Sequence, residues 1–151
     1  MTSIDDVTAD DCEFCAIAHG GDSAVEVVCE DTQWVAFFPL NPATPGHTLV
    51  IPRAHVVNLW EVESSLAAEL MTAVIRVGHA IETALSPEGM NLITSAGRTA
   101  EQTVFHLHFH LVPRWQRDGF GPIWPVEGKY EDADLGDVAD RIRSACRLKG
   151  E

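Results

Sequence analysis

Nine residues, His106-Leu107-His108-Phe109-His110-Leu111-Val112-Pro113-Arg114, constrain the fold more than any other stretch of the chain. Three histidines alternate with apolar residues. On a β-strand successive side chains point to opposite faces. His106, His108 and His110 then share one face, and Leu107, Phe109 and Leu111 share the other. The pattern predicts a strand from about Thr103 to Val112, with one face in a core and imidazoles about 7 Å apart on the other. Three of the seven histidines of the chain fall within five residues. An ordinary half-buried strand carries Thr, Lys or Ser there, so the alternation points to chemistry. Imidazole suits metal ligation and phosphate or proton chemistry.

At 151 residues the chain fits one domain. Residues 12–151 read as that domain, with an extension from about 120, behind an acidic lead over 1–11 expected to be mobile. A composition 46% hydrophobic and 22% charged is that of a soluble globular protein. The net charge of −13, with ten Lys and Arg, argues against non-specific binding to nucleic acid or an anionic membrane. That balance does not exclude a small phosphate ligand held by a few local donors. Met1 to Asp11 has no apolar h-region and no run approaches a membrane span, so a cytoplasmic protein is expected. Its four cysteines are better read as metal ligands and free thiols than as disulfides.

Three short strands are expected at hairpin-like spacing: Ala24 to Cys29, Trp34 to Phe38 and His47 to Ile51. Between the last two, Pro39, Pro42 and Pro45 exclude regular structure. Leu66, Leu70, Ala73, Val74, Val77, Ile81 and Leu85 recur at three- and four-residue steps and predict one amphipathic helix. Ser64 or Ser65 is its expected N-cap, and Ser86-Pro87-Glu88-Gly89 its stop. Asn91 to Thr94 reads as a fourth strand, and Ser95 to Gln102 as a polar loop entering the histidine strand. Leu135 to Leu148 reads as a final helix, with Arg141, Arg143, Arg147 and Lys149 late, where cations suit the dipole.

Three groups of residues carry chemistry. Cys12-Glu13-Phe14-Cys15 has the spacing of half a zinc site. A redox pair or coincidence would look the same, and His19, His55, His79 and His106 all qualify by spacing to complete it. The triad and His47 form the second group. A histidine can attack phosphorus and carry the group covalently. The middle one, His108, is flanked by two imidazoles that can hold phosphate oxygens, whereas His47 alone reads equally as a solvent-facing strand start. The third group is the loop Ser95–Thr103, whose Ser95, Gly97, Gln102 and Thr103 offer donors to an anion. Arg98 and Arg114 are the nearby cations, which read as partners for such an anion or, more readily, as solvated surface charge.

These residues resemble the histidine-triad (HIT) family. Gln102 to Val112 is similar to its His-φ-His-φ-His-φ-φ signature, and Asn41 to His55 to its other landmark. The Cys12-x-x-Cys15 opening is usual in bacterial members. The resemblance implies an α+β fold with a roughly five-stranded antiparallel sheet, one long helix and a C-terminal helix, commonly as a homodimer. It implies a nucleotide hydrolase or transferase acting at an α-phosphorus on a phosphoramidate, acyl nucleotide or dinucleoside polyphosphate. By the same resemblance His108 is the nucleophile, His110 and His47 assist, and Gln102, Thr103, Ser95 and Asn41 contact substrate. Cys12, Cys15, His55 and His106 would hold a structural zinc. Two positions depart from the family pattern: Pro39 stands where many members bind the ribose hydroxyls, and Ser95 where many have Asn. Rival readings are a nucleotide-binding sensor or partner module with little turnover, and a structural zinc protein whose whole triad serves metal.

Overall fold

The computed structural model describes residues 8–21, 24–124 and 135–148. Residues 1–7 of the expected acidic lead, Asp22 of the predicted break and Lys149 lie outside them. The chain forms two compact units, one ending at Phe120 and one beginning at Gly121.

The first unit is built on five strands: β1 (Val27–Glu30), β2 (Trp34–Phe37), β3 (Thr48–Pro52), β4 (Gly89–Ile93) and β5 (Phe109–Arg114). They pair in the order β1-β2-β3-β5-β4, antiparallel throughout. A six-residue helix α1 (Glu13–Ala18) and the long helix α2 (Ser64–Leu85) complete it. This is the α+β architecture expected. Among the described residues no helix is long and apolar enough to cross a membrane.

The central strands are buried on both faces because each face has its own cover. Trp34, Ala36, Val50, Phe109 and Leu111 pack against Leu70, Ala73, Val74, Val77 and Ile81 of α2. Val35, Phe37, Leu49 and Ile51 point the other way and pack against Phe14, Cys15, Ile17 and Ala18 of α1. Each such buried aliphatic or aromatic side chain contributes about 1.5–3 kcal/mol relative to exposure.

Several local expectations are corrected. The regular ladder of β5 begins at Phe109, so His106 and His108 lie in the irregular segment before it. That segment is fixed by Leu107 N–H donating to Val56 O at 2.6 Å and by Thr94 Oγ1 donating to His108 O at 2.8 Å. Leu107 is still buried in the α2-side core with Phe109 and Leu111, so the in-and-out alternation persists without the ladder. Helix α2 is capped by Glu63, not Ser64 or Ser65, and without a side-chain hydrogen bond. It ends as expected at Ser86, in the left-handed region at φ 48°, where Pro87 forbids continuation. β1 begins at Val27 rather than Ala24 and is an edge strand with Val27 and Val28 exposed. Arg114 is no free surface cation: it donates to both carboxylate oxygens of Asp118 and to Asn91 Oδ1, and lies over the Phe120 ring. The hydrogen bond from Arg114 holds the Asp118 carboxyl down at about 2.

In the second unit, α3 (Leu135–Leu148) spans the predicted residues. Arg143 pairs with Asp140 at 2.6 Å, and Leu135, Val138 and Ile142 are exposed.

Candidate active site and metal centre

The proline-rich loop before β3 positions His47. Gly46, at φ 81°, makes the turn; a Cβ there would run into Leu85. The loop folds back so that the Ala43 N–H donates to His47 Nδ1 at 3.0 Å. Nδ1 therefore carries the lone pair, and neutral His47 keeps its proton on Nε2. Nε2 lies 2.9 Å from His110 Nδ1. His47 donates there, which leaves the His110 proton on Nε2. His110 sits on β5 opposite Leu49 and Ile93.

His108 is set differently. Its Nδ1 lies 2.7 Å from the carbonyl oxygen of His106, which can only accept. Nδ1 therefore carries the proton and Nε2 the free lone pair. The His108 and His110 rings meet edge to face, centroids 4.9 Å apart. Burial pushes the basicity of His47, His108 and His110 down, that of His110 to about 4, where His108 and His47 add to the effect. All three are neutral at pH 7, as the hydrogen bonds require.

His108 and His110 open into a cleft of about 390 Å³. Ile17, Val25, Phe37, Leu40 and Leu49 make apolar wall, and Asn41, Ser95 and Thr103 supply polar groups. Pro39 also lines it. The carboxylates on the cleft are Glu13 and Glu101, neither of which the sequence singled out. Gln102 is only 3% exposed, and its side chain is committed to the backbone. Its amide donates to Val57 O at 2.7 Å and Val104 O at 3.1 Å, and its oxygen accepts from Gly97 N–H at 2.8 Å. It fastens the loop that delivers Thr103.

Beside the cleft, Cys12, Cys15, His55 and His106 bring one ligand atom each to within 4.8 Å of one another. Of the four histidines that spacing allowed, the fold gathers His55 and His106. His19 is exposed at the end of α1, and His79 faces solvent on α2 with Glu82. His106 Nε2 donates to Pro52 O at 2.8 Å, so the lone pair of Nδ1 is aimed at the two sulfurs, 3.4 and 3.5 Å away. His55 Nδ1 is 3.3 Å from Cys15 Sγ, while its Nε2 is buried without a protein partner. Tetrahedral zinc, with Zn–S of about 2.3 Å and Zn–N of about 2.0–2.1 Å, separates its S and N ligands by roughly 3.5 Å. The donor set therefore fits zinc in kind, number and spacing. Burial, then the neighbouring Cys12, pushes the Cys15 thiol up to about 11, a proton that a divalent cation would displace.

Fold and site together define a class: an antiparallel α+β protein with a long helix on one sheet face and, on the other, an imidazole-lined cleft beside a Cys₂His₂ cluster. The chain belongs to the HIT family, whose HIT domain model matches residues 21–117. It is 38% identical over 136 residues to the protein hit of Bacillus subtilis, covering 89% of this chain and 93% of that one. An adenosine 5'-monophosphoramidase of Schizosaccharomyces pombe is 35% identical over 115 residues (76% and 83%). An adenylylsulfatase of Arabidopsis thaliana is 34% identical over 138 residues (91% and 68%). Among solved structures, a HIT family protein from Bacillus anthracis superposes with TM-score 0.82 at 32% identity, covering 93% of this chain and 99% of that one. A Zn-bound histidine triad family protein from Mycobacterium smegmatis gives 0.70 at 30% identity (91% and 99%).

Proposed function

We propose that the protein hydrolyses a nucleotide conjugate at its α-phosphorus through a nucleotidyl-His108 intermediate. The observation that carries this reading is the tautomer pattern: a bare Nε2 lone pair on His108 beside an Nε2–H on His110. His108 Nε2 attacks phosphorus as the bond to the leaving group breaks. His110, backed by His47, donates to a phosphoryl oxygen or the departing atom. The leaving group departs with a proton from solvent; water then attacks the same phosphorus, its oxygen staying on the nucleotide and its proton passing to solvent, as the P–N bond breaks and returns the lone pair to His108 Nε2. The apolar wall takes the base, while Ser95, Thr103 and Asn41 meet phosphate and sugar. Gln102 acts by holding the loop. The phosphoramidase and adenylylsulfatase relatives make nucleoside phosphoramidates and phosphate–sulfate anhydrides the first substrates to try. Incubation with a nucleoside phosphoramidate, quenched in base, should leave one nucleotidyl group on the His108 peptide by mass spectrometry. Hydrolysis with label on no residue would remove the covalent step.

Zinc on Cys12, Cys15, His55 and His106 fills four ligand positions and would tie α1 to the histidine segment as a structural tether. Four cysteines, none of them in a disulfide, fit a reducing compartment, the cytoplasm. The rival reading, a nucleotide sensor with little turnover, draws on Pro39 and Ser95, both on the cleft wall. Tight nucleotide binding with no hydrolysis would favour it.

The working protonation states fix the pH response. The reaction needs neutral imidazoles, and each has a folded value below the ordinary 6.5. Because burial holds all three below 6.5, we expect kcat/KM to stay level from pH 8 to 6.5 and its acid limb to lie wholly below 6.5, with His110 taking its proton near 4. In the same interval the unfolded chain binds more protons than the folded one, so stability also declines from 6.5 downward. An acid limb centred on 6.5 would contradict the assignment.

We also propose a homodimer across β4. Leu92 is 47% exposed on this edge strand, and Met71 and Ile75 of α2 are 40% and 54% exposed. An isologous contact would cover both strand edge and apolar face. Sedimentation should give two chains for the native protein and one for Leu92→Asp.

A further inference from the structure

Phe14 has no polar atom, yet it touches both halves of the site. It lies between the two cysteines on α1 and is 8% exposed. Its ring stands edge to face against His108, centroids 5.3 Å apart and planes at 87°. It meets the ring of His106 at 6.0 Å and 70°, and that of Phe37 at 5.6 Å and 81°. It also lines the cleft. Edge-to-face contact directs one ring's positive rim at another's negative face and penalises rotation of either. The single hydrogen bond from His108 Nδ1 to the His106 carbonyl does not by itself stop the ring rocking about that bond, so the two rings packed against it, Phe14 and His110, must fix the aim of Nε2.

What fixes Phe14 in turn is α1. Six residues are far too few for a helix to persist alone in water. At its start, Cys12 Sγ accepts the Cys15 N–H at 3.4 Å, and both sulfurs converge on His106 Nδ1. At its end, the Arg53 guanidinium donates to Ala18 O. Phe14 is therefore bracketed by the two thiols that meet the metal-ligating histidine, two residues from the nucleophile.

We infer that Phe14 is a positioning residue, through which the Cys12–Cys15–His55–His106 centre holds the His108 ring in its reactive orientation. The inference rests on the assignment of His108 as nucleophile. Its test uses the full-length zinc-loaded protein, Phe14→Leu, and each after chelation. Long-range ¹H–¹⁵N spectra of the native protein should show His108 as one sharp Nδ1–H tautomer. Phe14→Leu should retain one zinc per chain but broaden that signal. It should slow single-turnover nucleotidylation at saturating phosphoramidate by roughly ten- to a hundredfold, since small misplacements of reacting groups cost rates of that order. Chelation of the native protein should reproduce both changes. Chelation of Phe14→Leu should add nothing further. If Phe14→Leu loses its zinc, Phe14→Met fills similar volume without the ring and is read in the same way. A sharp, unchanged His108 signal and an unchanged rate in the variant overturn the inference, as does a signal indifferent to chelation. Those results would leave the reaction assignment standing. Full turnover in His108→Ala would instead remove the assignment itself.

Discussion

Replacing His108 with alanine is expected to lower turnover of a nucleoside phosphoramidate by about 10⁴-fold or more while the protein still folds. Loss of a covalent nucleophile removes the two-step route entirely, and in enzymes of this logic it costs as much as losing the whole catalytic set. Folding should survive because the deletion takes a 6%-exposed ring at the cleft edge and leaves one carbonyl, that of His106, without its donor. Such an unpaired buried group costs about 1–3 kcal/mol. His110→Ala should fall short of this, by about 10²–10³-fold, because it removes one donor to developing charge and leaves the nucleophile. His47→Ala should cost less again, since His47 acts on the reaction only through His110 Nδ1. Initial rates with thermal melts on the three variants check this order. Turnover in His108→Ala within tenfold of native would sink the nucleophile assignment.

The alternation from His106 to Leu111 put Leu107, Phe109 and Leu111 on the α2 side and the imidazoles on the other, although β5 starts only at Phe109 and His106 and His108 are buried as well. Packing of Leu107, Phe109 and Leu111 against α2 enforces the period-two pattern even where no ladder exists. The run Leu70 to Ile81 located α2 for the same reason: a long apolar stripe has one way to be buried. Its N-cap was misplaced because Ser64 has the right chemistry one residue too late. Helix α1 left no periodic signal, since its six residues are stabilised by contacts with β2 and β3 far along the chain. Phe14, Ile17 and Glu13 on the cleft were therefore missed, although Glu13 and Phe14 sit inside the Cys-x-x-Cys motif. Gln102 shows the opposite limit: a polar loop residue looks like a ligand contact, and only the fold reveals three backbone partners. For the metal cluster, spacing left four histidines in contention. The choice of His55 and His106 depends on where Pro52 ends β3 and on the Pro52 carbonyl that orients His106.

Cys15→Ser is expected to remove bound zinc and to lower the melting temperature by about 10 °C or more. A hydroxyl is a poor substitute for thiolate as a zinc ligand, which leaves Cys12, His55 and His106 as an incomplete set. Metal held at a thousand times its Kd stabilises the folded state by about 4 kcal/mol. For a chain of this size each kcal/mol moves the midpoint by about 2–4 °C. Activity at low temperature should fall by a smaller factor, about 10–100-fold, because the cluster supports the His108 segment and supplies no reacting atom. Elemental analysis of the native protein should find one zinc per chain, since Cys12, Cys15, His55 and His106 are the single group of suitable donors gathered among the described residues. Two zincs would mean that His108 and His110 also serve metal, and would replace the hydrolase reading with that of a structural zinc protein. A native protein isolated without metal, whose melt chelation does not shift, would show that the four donors form a hydrogen-bonded thiol–imidazole cluster. In that case Cys15→Ser should cost little, because serine can keep a hydrogen bond to His55 Nδ1 at the place where the sulfur now lies 3.3 Å away.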